Sequence, residues 1–417
     1  MTDGSLREQM GRLFGPAPDR WLVLALCGLY FLFPLSKTLY ALPLLAVIVL
    51  AFVYGQPKRW WGLLRDTPVL WLPLALYGLI LVNSFASPAD TDAILEHLRK
   101  YGRLTFLVLL FFVFVGYERR QQVALNAFAT AMAVTVCLTW LRVVWPHPIL
   151  GGQGDAIFGD HITQNIMVAF FTVLAFVKAR EATSQKWRMA WGLLMVLAIA
   201  SITHQSTGRT GHVLLFVAWG SYVIWTLRGA RLVLGIALLM TAAALAYSSS
   251  DFLRQRFQQA IAEAHNAEAD PHSSIGHRLY NYKTTPRMIA EKPLLGHGTA
   301  SFHKEICRFL DKPETCPLYG RHPHNQFLFL AADHGLLGVG LYLAFVLGLL
   351  VTAVRSQTHR SSRVLLFVLG TLLLINSLIN SPLYSSRESQ FFAFMAALLL
   401  AMNRNPASHG EEATSPV

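Results

Sequence analysis

The architecture hangs on NQFLFLAADHGLLGVGLYLAFVLGLLVTAV, residues 325–354, thirty residues in which apolar side chains dominate. A hydrocarbon core about 30 Å thick, climbed at 1.5 Å per residue, needs about 20 such residues, so this stretch is long enough to cross a bilayer as a helix. Working outward from it, comparable apolar stretches lie near 20–36, 38–54, 68–86, 103–117, 122–145, 163–179, 187–203, 211–227, 231–249, 363–381 and 389–403. The expectation is an all-α integral membrane protein with about 12 transmembrane helices. The first stretch is not a cleavable signal, because Phe33-Pro34 leads straight into the next span without a small-residue cleavage site.

Composition points the same way. Of 417 residues, 54% are apolar and 14% charged, and the mean hydropathy is +0.42. Soluble domains average about 45–50% apolar and about 25% charged, which excludes a cytosolic enzyme and a disordered chain. Four cysteines in 417 residues also exclude a disulfide-dense secreted scaffold. Lys plus Arg number 35 against 23 Asp plus Glu, a net charge of +12. In a membrane chain such an excess marks cytoplasmic loops and headgroup contacts rather than nucleic acid.

Orientation follows from the short loops. With the N-terminus inside, every inner segment is basic: Arg7, Arg12 and Arg20, then Lys58, Arg59 and Arg65, Arg119 and Arg120, Lys178 to Arg188, Arg228 and Arg231, Arg355 to Arg363, and Arg404. Both termini are expected in the cytoplasm. Spans one to nine then occupy 1–249, spans ten to twelve 324–403, and 404–417 forms a short disordered tail. Between them, 250–323 is a polar insertion with ten Lys/Arg and eight Asp/Glu, read as a periplasmic helical lid. Its opening DFLRQRFQQAIAEAHNAEA sets Phe252, Phe257, Ile261 and Ala264 near helical spacing, an amphipathic helix on the membrane or over a cavity. Cys307 and Cys316, both in the insertion, could pair in an oxidising periplasm, though spacing alone leaves that open.

Chemistry is expected on the outer side, where twelve of fifteen histidines fall (His97, His147, His161, His204, His212, His265, His272, His277, His297, His303, His322, His324). The sharpest cluster is Arg321-His322-Pro323-His324-Asn325, at the point where the insertion returns to the membrane. Imidazole, with an unperturbed pKa near 6.5, suits general-base work, and Asn325 could orient it. His322-x-His324 could alternatively ligate zinc, but no Cys or Glu stands nearby at ligand spacing. Gly335, Gly338 and Gly340 would let the following helix approach a neighbour closely. In Ser206-Thr207-Gly208-Arg209-Thr210-Gly211 the arginine offers a planar fork suited to phosphate, or else a headgroup contact, and Arg278 in GHRLYNY could be a second clamp. The GHG of EKPLLGHGTASF lacks a βαβ setting and reads as a flexible turn. Asp90-Thr91-Asp92 matches a nucleotide-sugar motif too short to weigh. Glu388 in YSSRES lies on the outer face and could assist a base.

Taken in order, His324-Asn325 followed by Gly335 and Gly338, the preceding EKPLLGHGTASF turn, the arginine of GHRLYNY and the outer STGRTG resemble the O-antigen ligase and polymerase superfamily of bacterial inner membranes. Twelve spans with one large outer loop after the ninth are similar to the lipopolysaccharide O-antigen ligase branch. The resemblance implies a metal-independent, cofactor-free, inverting glycosyltransferase, working as a monomer at the periplasmic face. Its donor would be O-antigen on undecaprenyl diphosphate and its acceptor a sugar hydroxyl of lipid A-core. His324 would be the catalytic base, Arg209 and Arg278 the diphosphate ligands, and Arg321 and His322 possible assistants. An O-antigen polymerase or a protein O-oligosaccharyltransferase would differ in acceptor only. A lipid-linked oligosaccharide flippase would instead need ionisable residues deep in its spans, which apart from Arg142 are read as lacking them.

Overall fold

A computed structural model describes residues 17–145, 155–266, 273–310, 316 and 322–404. Among these residues secondary structure is helical throughout, with seventeen α-helices. They are α1 (Ala17–Leu32), α2 (Ala41–Tyr54), α3 (Pro57–Arg65), α4 (Trp71–Ser84), α5 (Thr91–Tyr101), α6 (Arg103–Phe114), α7 (Glu118–Val144), α8 (His161–Glu181) and α9 (Gln185–Gln205). There follow α10 (Arg209–Thr226), α11 (Ala230–Ser249), α12 (Asp251–His265), α13 (Ser274–Glu291), α14 (Phe302–Glu305), α15 (Gln326–Arg355), α16 (Arg360–Ile379) and α17 (Ser386–Met402).

Each of the twelve expected spans falls on a helix. By length and composition six of them can cross a bilayer, namely α7, α8, α9, α11, α15 and α16, or seven if α2 and α3, bent by 103° at their junction, count as one. These six make the chain an α-helical membrane protein; the other helices on which an expected span falls are shorter or less apolar. Arg321, His147 and His272, and the expected tail beyond 404, lie outside the described residues.

Burial sorts the helices by their place in the bundle. In α17 Phe391, Phe392 and Phe394 are buried together with nearly every other side chain from Arg387 to Ala401, which puts this helix at the centre, enclosed by its neighbours. α8 is buried almost as fully. By contrast α11 buries no side chain at all and presents leucine, valine and isoleucine outward, as suits a helix solvated by lipid. Local caps set where key helices begin: Asp160 Oδ1 accepts from Thr163 N at 2.8 Å, Ser250 Oγ from Leu253 N at 3.1 Å, and Asn325 Oδ1 from Phe327 N at 2.9 Å and Leu328 N at 3.0 Å.

The bundle has two unlike ends. At one, arginines tie the helix termini: Arg120 to Asp19 at 2.7 Å, Arg59 to the Val115 carbonyl at 3.0 Å, Arg180 to Tyr222 at 3.0 Å and Arg360 to the Thr226 carbonyl at 3.0 Å. At the other end lie the turns that carry the candidate chemistry. There Thr207 N donates to Asp155 at 2.6 Å, Asn325 Nδ2 to the Leu378 carbonyl at 3.1 Å, and buried Arg387 to the carbonyls of Phe158 and Pro34. The amphipathic helix expected at the start of the insertion forms as α12, with no side chain buried and Phe257 and Ile261 exposed.

Candidate functional site

The helix that follows the histidines is broken. Within α15 Gly335 adopts φ 65° and ψ −167°, a conformation open essentially to glycine alone. Helical hydrogen bonds are lost around it, and the segment 293–298 takes them up: Leu336 N donates to the Pro293 carbonyl at 2.7 Å and Leu337 N to that of Leu294 at 3.3 Å, while His297 N and Gly298 N donate to the carbonyls of Ala332 at 3.0 Å and Asp333 at 2.9 Å. A Cβ at Gly335 would lie 2.2 Å from the Leu294 carbonyl carbon. This corrects the expectation that Gly335 and Gly338 serve helix-to-helix packing. Gly335 admits a loop; at Gly338 a Cβ would meet His334 of its own helix at 2.7 Å, and at Gly340 it would meet nothing.

Equally, the GHG turn is no flexible loop. Asp333, buried in α15, accepts from Ala300 N at 3.2 Å, Ser301 Oγ at 3.0 Å and Phe302 N at 2.9 Å. On its other side, Asp333 Oδ2 lies 3.5 Å from His97 Nε2. Asn83 donates to the Leu295 carbonyl at 2.9 Å, and Thr299 Oγ1 to that of Ile80 at 2.5 Å. The spans are therefore not free of ionisable residues: Asp333 and His334 are 2% and 1% exposed inside α15. The carboxylate is committed to holding a loop. Cys307 and Cys316, just beyond this loop, are joined by a disulfide with Cα atoms 5.2 Å apart.

His324 sits on the turn into α15 with φ 54°, rare for a side chain with a Cβ. Three groups hold it. His324 N donates to His322 Nδ1 at 3.3 Å; Tyr282 Oη donates to the Leu378 carbonyl at 2.7 Å with the His324 carbonyl at 3.2 Å as second acceptor; and Asn325 anchors to the same Leu378 carbonyl. Because a backbone N–H only donates, neutral His322 carries its proton on Nε2. The rings of His322 and His324 are 4.4 Å apart and His277 stands 5.8 Å from His324. Among the described residues neither ring nitrogen of His324 has a hydrogen-bond partner.

Burial, the neighbouring His322, and the positive charge of Arg278 push His324 down to about 3. Burial, Lys100 and His277 bring His322 to about 4. The ordinary value near 6.5 assumed from sequence is thus corrected: both rings are neutral near pH 7, and His324 is a weaker base than free imidazole.

Arg278, on α13, joins the two halves of the site. Its guanidinium is itself depressed by burial, and feels Tyr282 at one side and Arg209 and Glu263 at the other. Arg209 heads α10, where Asp155 accepts from Thr207 N and from Thr207 Oγ1 at 2.7 Å and Asn165 packs beneath Gly211. It is not an unoccupied clamp: Glu263 of α12 accepts from its Nη1 at 2.8 Å and its Nη2 at 2.6 Å. Arg278 is thus coupled electrostatically to His324 and, separately, to Arg209. Glu388 stands apart, its oxygens taken by Asn376 Nδ2 at 2.9 Å and Asn380 Nδ2 at 2.9 and 3.1 Å rather than by an imidazole. Among the described residues no cluster of three or more His, Cys, Asp or Glu could hold a metal. Asp90 lies on the exposed surface 3.8 Å from Lys304.

Glu263, Tyr282 and the Asp333 socket escaped sequence reading. Glu263 is one acid in a solvated amphipathic helix, Tyr282 one aromatic in GHRLYNY, and neither residue type at that spacing signals a partner. Asp333 beside a glycine in an apolar run was a usable signal, since a buried carboxylate must be hydrogen-bonded.

Residues 193–343, the range that carries Arg209, Arg278 and His324, match the protein family described as O-antigen ligase. No curated protein matches the chain.

Proposed function

We propose that this chain, whose residues 193–343 match the O-antigen ligase family, is a member of that superfamily and transfers O-antigen from undecaprenyl diphosphate to a sugar hydroxyl of lipid A-core, inverting the anomeric centre without a metal. The family covers ligases and related polymerases and oligosaccharyltransferases, all glycosyltransferase-like enzymes working on lipid-linked glycans. The observation that carries the finer reading is the position of Arg278, whose charge bears on His322 and His324 at one side and on the Arg209–Glu263 pair at the other.

In this reading Arg209 and Arg278 bind the diphosphate and take up the charge that develops as the lipid leaves. His324 removes the acceptor hydroxyl proton as that oxygen attacks from the face opposite the leaving group. Burial is the first cause that weakens His324 as a base and the charge of Arg278 a lesser one; the arriving diphosphate offsets that lesser part and so shifts His324 back toward its ordinary basicity. His322 and Tyr282 hold the turn. Twelve spans, cytoplasmic termini and a periplasmic site in the bacterial inner membrane complete the proposal, and the arginine-tied end of the bundle fits the inner leaflet.

His324→Ala, reconstituted with lipid-linked donor and offered lipid A-core, growing glycan or acceptor protein in parallel, tests it. Loss of transfer with intact donor binding is expected, with lipid A-core the acceptor used by the parent. Near-normal transfer by the variant refutes the base, and use of another acceptor moves the chain to the polymerase or protein-modifying reading.

A further inference from the structure

Arg209 presents its two terminal nitrogens to Glu263, the same fork that a phosphate would use. Both ligands cannot hold that edge at once. We propose that Glu263 is a specificity-determining residue of the donor site: it reserves Arg209 for a diphosphate, excluding singly charged phospholipid headgroups, and its displacement frees the far end of α12. The proposal rests on the donor-binding role given to Arg209 above.

The site faces a sea of phospholipid, so an open arginine fork at a membrane surface would fill with abundant phosphodiester headgroups. A carboxylate already seated on both nitrogens raises the threshold. A phosphodiester brings one negative charge and exchanges like for like. A diphosphate brings more, and it also reaches Arg278, which lies within electrostatic range of the same pair, so it alone offsets the loss of the carboxylate. Glu263 is suited to this use because Arg209 holds its carboxyl below the usual range, leaving it charged wherever the membrane is at work.

The geometry of α12 supplies the release. No side chain of that helix is buried. At its start Ser250 caps Leu253 N and donates to the Thr203 carbonyl at 2.9 Å. Phe257 leans on Tyr247 with rings 5.8 Å apart. Toward its far end Glu263 holds Arg209 and accepts from Ile275 N at 3.3 Å. Among the described residues, removing the ion pair leaves that end with little else, while the capped start stays in place.

The full chain in nanodiscs is titrated with undecaprenyl diphosphate, with and without excess phosphatidylglycerol, for the parent, Glu263→Gln, Glu263→Asp and Ser250→Ala. Glu263→Gln should bind the diphosphate about fivefold tighter in the absence of the competitor, the scale of a partly exposed ion pair, and lose severalfold when phosphatidylglycerol is added. The parent and Glu263→Asp, which keep the charge, should be indifferent to it. Ser250→Ala loosens α12 without freeing the fork and should remain indifferent too. Hydrogen–deuterium exchange of the backbone amides of 259–265, the far end of α12, should quicken in the parent once undecaprenyl diphosphate is added and be fast from the outset in Glu263→Gln, while 251–256 stays unchanged. A Glu263→Gln variant with the parent's affinity and the parent's indifference overturns the proposal, as does Ser250→Ala behaving like Glu263→Gln. If instead Arg209→Ala and Arg278→Ala bind the diphosphate as the parent does, it is the donor site itself that falls.

Discussion

Replacing Gly335 by alanine tests the broken helix most directly. The backbone there sits at φ 65° and ψ −167°, and holding an alanine in such a region costs about 1–3 kcal/mol. The new methyl would also stand 2.2 Å from both the carbonyl carbon and the oxygen of Leu294, so the 293–295 segment must withdraw. Its hydrogen bonds to Leu336 N and Leu337 N, at 2.7 and 3.3 Å, then fail, at roughly 1 kcal/mol each. Together these give about 3–5 kcal/mol, a large part of the stability of an ordinary domain. Gly340→Ala is the matched control: its Cβ meets nothing within 4 Å, and alanine within a helix is favoured by about 0.5–1 kcal/mol. Thermal unfolding followed by tryptophan fluorescence in one detergent should show Gly335→Ala melting many degrees below the parent and Gly340→Ala at or slightly above it. Equal melting temperatures for the two variants would refute the account of α15.

Further outcomes follow from the same contacts. Asp333→Asn turns one acceptor into a donor facing Ala300 N, Ser301 Oγ and Phe302 N, leaving a buried N–H unsatisfied at about 1–3 kcal/mol; faster tryptic cleavage at Lys304 and Arg308 is expected, and an unchanged digest would contradict it. Arg278→Ala should lower transfer about a hundredfold and raise the donor KM far more than the acceptor KM, with Arg278→Lys recovering only part because the fork is lost; equal effects on both substrates would return the residue to a structural role. The folded pKa values of His322 and His324, about 4 and about 3, lie below the unfolded value near 6.5. Below pH 6.5 the unfolded chain therefore binds protons that the fold refuses, so stability is present above that pH and lost as pH falls toward 4. Melting temperatures at pH 7.5 and 5.0 should differ less in a His322→Gln/His324→Gln double variant than in the parent.

What hydropathy could and could not convey is visible residue by residue. The helices of the bundle were legible because lipid contact and core burial both demand long apolar runs, and Asn325 and Asp160 marked helix starts by capping chemistry that acts within four residues. His324, Arg209 and Arg278 were legible as charged or titratable groups on outer turns, and the order of their motifs tied them together. Their surroundings were not. Whether Arg209 is open or paired depends on Glu263, 54 residues away, and the depression of His324 depends on burial and on a charge from another helix. The glycines misled because a small residue in an apolar helix reads alike whether it admits a neighbouring helix, as expected, or a loop, as at Gly335. Nothing local tells the two apart.

The broken turn of α15 has a bearing on how substrates would arrive. By severing its own ladder, the helix offers amides and carbonyls as a dock, and residues 293–302 are moored there as firmly as any turn of the bundle. If α12 releases as proposed, the insertion has one part that moves and one that stays, and a bulky lipid-linked sugar would enter on the side of α12, the opposite wall being held where the longest described helix declines to be a helix.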